Sequence, residues 1–253
     1  MAKIIDGKAI AQTIQQEIQQ KVEKIHRSGK VPGLAVILVG DDPASTVYVN
    51  RKAKACREVG IHSITDKLPG NINEQELLER VQYYNQTPEY HGLLIQLPLP
   101  SHLNEHKIIE AVSPQKDVDC LHPYNIGQLM SGQAIFEPAT PAGIIELLRH
   151  SQIDPAGKQV VILGRSNIVG KPLAMLLVQK KPGANAVVTM VHTAAPDISR
   201  YTLPADILVA AMGIPEVIRG FPPAHAVVDS CGCFSNDHTG SNCPAYSVYT
   251  PVC

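Results

Sequence analysis

No run of apolar residues in this chain approaches the ~20 that a membrane-spanning helix needs, so no helical span is expected. The opening Met1-Ala2-Lys3-Ile4-Ile5-Asp6 also lacks the apolar stretch of a secretory signal. An excess of one charge is missing too. The net charge is -1 with acids and bases interspersed, so nothing argues for a nucleic-acid partner or an anionic membrane surface. Cysteine is scarce over most of the length, with only Cys56 and Cys120 before residue 230. That pattern excludes a disulfide framework there and fits a reduced compartment, so the cytosol is the expected location. Internal repeats and low-complexity tracts are absent as well. What is present is an ordinary soluble composition in 253 residues, enough for one large or two medium domains with real cores.

Ile10, Ile14, Ile18, Val22 and Ile25 recur at helical spacing on a polar background, and Gly29 closes that first amphipathic helix. Gly33-Leu34-Ala35-Val36-Ile37-Leu38-Val39-Gly40 then reads as a continuous apolar strand. Further strands are expected at residues 63–68 and 92–97, with helices at 44–59, 73–85 and 104–112. Pro138-Ala139-Thr140-Pro141 breaks the chain, and a helix over 142–150 leads into strands at 159–163, 186–191, 206–211 and 226–229. The alternation predicts an α/β fold of two domains, residues 1–140 and 141–253, each with a parallel sheet.

The segment Val160-Val161-Ile162-Leu163-Gly164-Arg165-Ser166-Asn167-Ile168-Val169-Gly170-Lys171-Pro172 reads as strand, tight turn and helix start. Gly164 would let the chain turn. Gly170 would let the helix sit close to the sheet, with its first amides free for a pyrophosphate. Ser166 stands where the usual dinucleotide fingerprint has its second glycine, so an ordinary strand-to-helix turn is the competing reading. A hydrolase nucleophile elbow fails here, because Ile168 replaces the closing glycine that such an elbow requires.

Tyr48 and Lys52 are four apart on a predicted helix and share a face. Taken alone they read as a half-buried tyrosine beside a solvated lysine. Gln96 interrupts an apolar strand just before Leu97-Pro98-Leu99-Pro100. A polar side chain at the carboxyl end of a parallel strand faces the crevice where α/β proteins bind ligands. Its plain alternative is a glutamine bonded to loop backbone. Asp119 ends Lys116-Asp117-Val118-Asp119 ahead of a loop containing Pro and Gly, as a turn former or as a grip on a ligand amino group.

Tyr48-x-x-x-Lys52, Gln96-Leu97-Pro98-Leu99-Pro100, Lys116-Asp117-Val118-Asp119 and Gly164-Arg165-Ser166-x-x-Val169-Gly170-x-Pro172 occur in one order. With Val39-Gly40-Asp41-Asp42-Pro43-Ala44-Ser45 and His122-Pro123-Tyr124-Asn125, they make the chain resemble the bifunctional methylenetetrahydrofolate dehydrogenase/cyclohydrolase family, up to about Asp229. The resemblance implies a folate-binding first domain, a Rossmann-like second domain and a cleft between them. It implies NADP-linked oxidation of 5,10-methylenetetrahydrofolate, hydrolysis of the methenyl product to 10-formyltetrahydrofolate, and a homodimer. By the same resemblance Lys52, Gln96 and Asp119 are catalytic, and Tyr48 and Pro98 join them in binding the folate. Lys52 would act as base or as hydrogen-bonding cation. The cofactor would lie on Gly164, Arg165, Ser166, Gly170, His192, Thr193 and Gly213. The strand before His192-Thr193 ends without a carboxylate, and Arg165 can pair with a 2′-phosphate, which favours NADP over NAD. An NADP oxidoreductase of another substrate class would leave Lys52, Gln96 and Asp119 unexplained.

Two departures stand out. Cys120 occupies a position that is usually glycine, next to Asp119, and a side chain there is expected to constrain the loop differently. After Asp229 the resemblance stops. The expected final strand, glycine-rich loop and helix give way to Ser230-Cys231-Gly232-Cys233 and a Ser, Asn and Gly-rich tail, as a shifted reading frame or a truncation would produce. On that reading, a remnant that binds folate or nucleotide without turnover is the rival to an enzyme. A zinc site from Cys231, Cys233, His238 and Cys243 is disfavoured, because Cys-x-Cys is not the usual knuckle spacing, and no metal is expected.

Overall fold

The computed structural model describes residues 3–214, 226–229 and 246–249, with side chains over 5–214. The chain opens with β1 (Lys3–Ile5), too short to show a period in sequence. Asp6 Oδ1 accepts the amides of Lys8 and Ala9, both at 3.0 Å, and starts α1 (Gly7–Arg27). Lys24, His26 and Arg27 lie in its last turn, against the negative end of the helix dipole. β2 (Gly33–Val39) follows, then α2 (Pro43–Glu58), whose cap Asp42 accepts the Ser45 amide at 2.7 Å while Pro43 fills the first turn. β3 (His62–Leu68) leads to α3 (Glu74–Gln86), opened by a reciprocal Asn73–Glu76 capping box. β4 (Gly92–Ile95) and α4 (Glu105–Ala111), capped by Asn104, complete the series.

These strands form a parallel sheet in the order β3-β2-β4. Ile37, Leu77, Leu93 and Ile108 pack on one face, and Val36, Leu38, Val49 and Leu94 on the other. Burial on both faces is why β2 is apolar without alternation, whereas edge strand β3 carries His62, Asp66 and Lys67.

The stretch read as a loop after Asp119 contains α5 (Pro123–Met130), beginning on a proline, which the first helical position accepts. Likewise Pro138 and Pro141 do not delay the next helix. α6 (Ala139–His150) has Pro138 as its cap and Pro141 in its first turn, where neither proline breaks an intrahelical bond. β5 (Gln159–Leu163), α7 (Gly170–Leu177), β6 (Val187–Val191), the short α8 (Ser199–Thr202) and β7 (Ile207–Ala210) come next, followed by β8 (Ala226–Asp229) and β9 (Tyr246–Tyr249). All pair in parallel in the order β1-β9-β8-β7-β5-β6. Ile162, Leu173, Leu177 and Val209 pack on one face with Ile144 and Leu148, and Val161, Leu163 and Leu208 on the other.

β9 corrects the expectation of a missing final strand. Val248 stands in register with Val228 of β8 and Ile5 of β1, so the tail supplies the strand that joins them. Two compact units result, Ala11–Gly127 and Met1–Ile10 with Gln128–Cys253. The contact-based division places residues 128–140 with the second unit and also gives it β1, through a pairing that local periodicity cannot reveal. The expected loss of the glycine-rich loop and the metal reading of the tail both fall outside the described residues.

Candidate active site

In the unit Ala11–Gly127, one face of α2 carries Tyr48, Lys52 and Cys56, each one turn apart. The Lys52 Nζ lies 4.5 Å from the Tyr48 ring centroid, a cation–π distance. Burial pushes the Lys52 pKa below the ordinary lysine value, and the charge of Asp119, then that of Cys56, pulls it partly back. The same environment raises Asp119. Burial is the main cause, the Lys52 charge opposes it, and Asp117 adds to it by like-charge repulsion. Lys52 and Asp119 therefore act on each other through a partly dry space, each displaced toward its neutral form. Burial also raises the Cys56 thiol, a neighbour that sequence reading missed although the 48, 52, 56 spacing signals it.

Gln96 lies one residue beyond the end of β4 rather than within the strand, its amide bonded to Ile37 O at 2.9 Å. Its Nε2 donates to Leu97 O at 2.7 Å, as the plain reading expected, but its Oε1 is buried with no partner. That acceptor is left unsatisfied within the protein. The structure brings Lys52, Tyr48 and Asp119 together; among the described residues no hydrogen bond joins Gln96 to Lys52. Pro98, in cis linkage to Leu97, is exposed.

Asp119 sits on a loop fastened to β4. Leu93 N donates to Lys116 O at 2.7 Å, and Lys116 Nζ reaches the carbonyls of Tyr84 and Thr87 at the end of α3, at 2.9 and 2.8 Å. Lys116 and the buried Asp117 thus serve the scaffold, while Asp119 faces Lys52. Cys120 is buried with φ +54°, a left-handed conformation that favours glycine.

In the second unit, the turn after β5 holds the nucleotide-type residues. Gly164 has φ +123°, and a Cβ there would lie 2.3 Å from Ala211 O. A Cβ on Gly170 would lie 2.3 Å from Gly164 O, so only glycine lets α7 dock this closely on the turn. The free amides are not those of the helix start. Ser166 Oγ accepts from Val169 and Gly170 at 3.0 and 3.4 Å, and Ser166 O accepts from Lys171. Among the described residues of this turn, the unpaired amides are those of Arg165, Ser166, Asn167 and Ile168, on its exposed crest. Arg165 is exposed, its Nη1 3.4 Å from His192 Nε2. Thr193 and Gly213, the latter with φ +67°, are exposed beyond the ends of β6 and β7. A glycine-shaped turn, free amides and an exposed guanidinium fit a phosphorylated dinucleotide.

A cavity of about 550 Å³ lies elsewhere, at the amino ends of β5 and β6, lined by Ile145, Arg149, Ile153, Lys180 and Asn185 among others. It is remote from the turn, and its lysines are surface groups. Among the described residues no cluster of His, Cys, Asp or Glu is arranged to hold a metal, and no helix is long and apolar enough to cross a membrane.

Comparison with known proteins identifies both units. Residues 5–119 match the tetrahydrofolate dehydrogenase/cyclohydrolase catalytic domain, and residues 138–238 match the NAD(P)-binding domain of the same family. The bifunctional protein FolD of Geotalea daltonii is 50% identical over 220 residues, covering 87% of this chain and 77% of that protein. The bifunctional methylenetetrahydrofolate dehydrogenase/cyclohydrolase FolD of Campylobacter jejuni superposes with a TM-score of 0.92 at 37% identity, covering 99% of this chain and 92% of that one. The Trypanosoma brucei methylenetetrahydrofolate dehydrogenase-cyclohydrolase, solved with NADP cofactor and inhibitor, gives 0.91 at 34% identity, covering 99% and 91%.

Proposed function

Because the chain belongs to the tetrahydrofolate dehydrogenase/cyclohydrolase family, we propose that it oxidises 5,10-methylenetetrahydrofolate with NADP and hydrolyses the product, with Lys52 as the central residue. The first step removes hydride from the one-carbon bridge and leaves the 5,10-methenyl cation, its charge shared with the flanking folate nitrogens. The second adds water to that carbon, opens the ring to 10-formyltetrahydrofolate and releases one proton. NADP, when bound, supplies the hydride acceptor.

The observation that carries this reading is the partly dry setting of Lys52 between Tyr48 and Asp119. An amine takes a proton from attacking water only when it is itself neutral, and burial lowers the pH at which that form appears. Lys52 is accordingly assigned as the base of the hydrolytic step. Tyr48 packs along the folate and holds the Lys52 Nζ over its ring. Asp119 accepts the amino edge of the pterin, and Pro98 lines the same surface. The buried Oε1 of Gln96 accepts a hydrogen bond from the substrate or from Lys52 during turnover. In the second unit, the amides of Ser166, Asn167 and Ile168 bind the pyrophosphate, Arg165 pairs with the 2′-phosphate, and His192, Thr193 and Gly213 border the same cofactor.

The test is direct. Purified protein with methylenetetrahydrofolate and NADP should form and then consume the methenyl species, followed by its absorbance. Lys52→Met should abolish hydrolysis of added methenyltetrahydrofolate; a Lys52→Met protein that still hydrolyses it would remove the assignment. We also place the protein in the cytosol as a homodimer. The scarcity of cysteine before residue 230 agrees with a reducing compartment, and the uncharged edge strand β6 offers a surface for a second copy.

A further inference from the structure

Asp119 makes no hydrogen bond of its own among the described residues, so whatever fixes its carboxylate must act through the loop that carries it. That loop is closed on itself from behind. The Asp117 carboxylate, only 5% exposed, accepts the amides of Leu121 at 3.1 Å and His122 at 2.9 Å, which lie on the far side of Asp119 and Cys120. Asn125, 1% exposed in the first turn of α5, donates through Nδ2 both to Asp117 Oδ2 at 2.8 Å and to Pro114 O at 2.9 Å. Both partners are acceptors, so the orientation of the Asn125 amide is determined. One buried amide group therefore ties the entry of the loop, its internal carboxylate and the helix after it into one closed ring.

We propose that Asn125 is a positioning residue of the reaction, clamping Pro114 and Asp117 so that Asp119 is presented to the folate. The inference rests on the assignment of Asp119 as a folate-binding group. Its chemistry is specific. Without the Asn125 donor, a buried carboxylate loses one of three hydrogen bonds and is left under-solvated next to a second carboxylate. Asp117 then relaxes toward other donors and drags the Asp119 loop with it.

The experiment is a double-mutant cycle on the full-length protein, with Asn125→Ala and Asp119→Ala separately and together. Asn125→Ala should raise KM for methylenetetrahydrofolate about tenfold or more, the scale of one lost hydrogen bond to a charged group. NADP affinity, read by titration of the same protein, should stay within about twofold, and in the Asp119→Ala background the Asn125 effect should disappear. If Asn125→Ala does not fold, Asn125→Ser keeps a hydroxyl donor and carries the same cycle with a smaller effect. An unchanged folate KM overturns the proposal. So does an effect that persists without Asp119, or one that lowers NADP affinity in parallel, since either marks a general scaffold role. If Asp119→Ala itself leaves folate KM unaltered, the assignment of Asp119 falls and this inference falls with it; if only Asn125→Ala is silent, the assignment stands.

Discussion

At the scale of single residues, the protonation of Lys52 answers to Asp119. Burial lowers the lysine and the carboxylate charge pulls it back, so Asp119→Asn removes the restoring influence and the Lys52 pKa falls further. With neutral Lys52 as base, the hydrolysis rate climbs with pH through that pKa, and the climb should move to lower pH in Asp119→Asn. A pH–rate profile on methenyltetrahydrofolate checks this, and a shift to higher pH contradicts the assignment. The linked stability effect has the same sense. The unfolded chain binds more protons than the folded one between the lowered pKa and 10.5, so the Lys52 contribution to stability rises with pH across that window. Cys120 is the second residue to test. At φ +54° a β-branched side chain is strained, so Cys120→Val should lose roughly 2 kcal/mol or more, while Cys120→Gly should change stability by less than about 1 kcal/mol as relief of strain offsets lost burial. Urea midpoints measure both, and equal stability of the valine and cysteine proteins would contradict the strain argument. Of the residues proposed to face ligand, Gln96 stood out as a polar residue at the end of an apolar strand, whereas Lys52 and Asp119 by themselves read as a solvated helix lysine and a turn former and gained meaning through the family resemblance. Asp117 and Asn125 did not stand out, because a group that bonds only to protein looks like any loop former.

Elements with a clear period were legible nearly to the residue. β2 and β5 announce themselves by unbroken or bounded apolar runs, and α3 by its capping pair. Errors gathered at proline. Pro123 and Pro138 look like breakers, yet each stands at a helix start, where its missing amide costs no intrahelical bond. The turn between β5 and α7 shows how an element junction can be read correctly in outline and wrongly in detail: Gly164 and Gly170 serve the close packing anticipated, but Ser166 consumes the first helical amides. Gly170→Ala tests this junction. A methyl 2.3 Å from Gly164 O must force α7 away from the turn, so NADP binding should weaken about tenfold or more and stability should fall by about 1–3 kcal/mol. Titration with NADP and thermal unfolding measure these, and unchanged values in both would show that the turn tolerates a side chain there.

For the whole molecule, pairings between distant segments were the part that sequence could not show. β1 and β9 are three and four residues long, come from opposite ends of the chain and gain meaning only beside each other. Edge strands pose the same question between molecules. β3 is guarded by His62, Asp66 and Lys67, with Arg80 bonded to Asp66 through both Nε and Nη2. One of the two outer strands of the six-stranded sheet, β6, is Val-Val-Thr-Met-Val with Val187 61% exposed and no charged residue. An uncharged, unpaired edge invites another strand, and a closed two-fold pair of β6 strands would cover it without leaving a further edge to extend. Light scattering should therefore give twice the 27.3 kDa mass of one chain. Val187→Lys places a charge on that edge and should shift the protein to monomer, while Lys67→Val, which removes a charge from the β3 edge, should leave the mass unchanged. A monomeric wild type would end the dimer proposal, and a Val187→Lys dimer would move its interface away from β6.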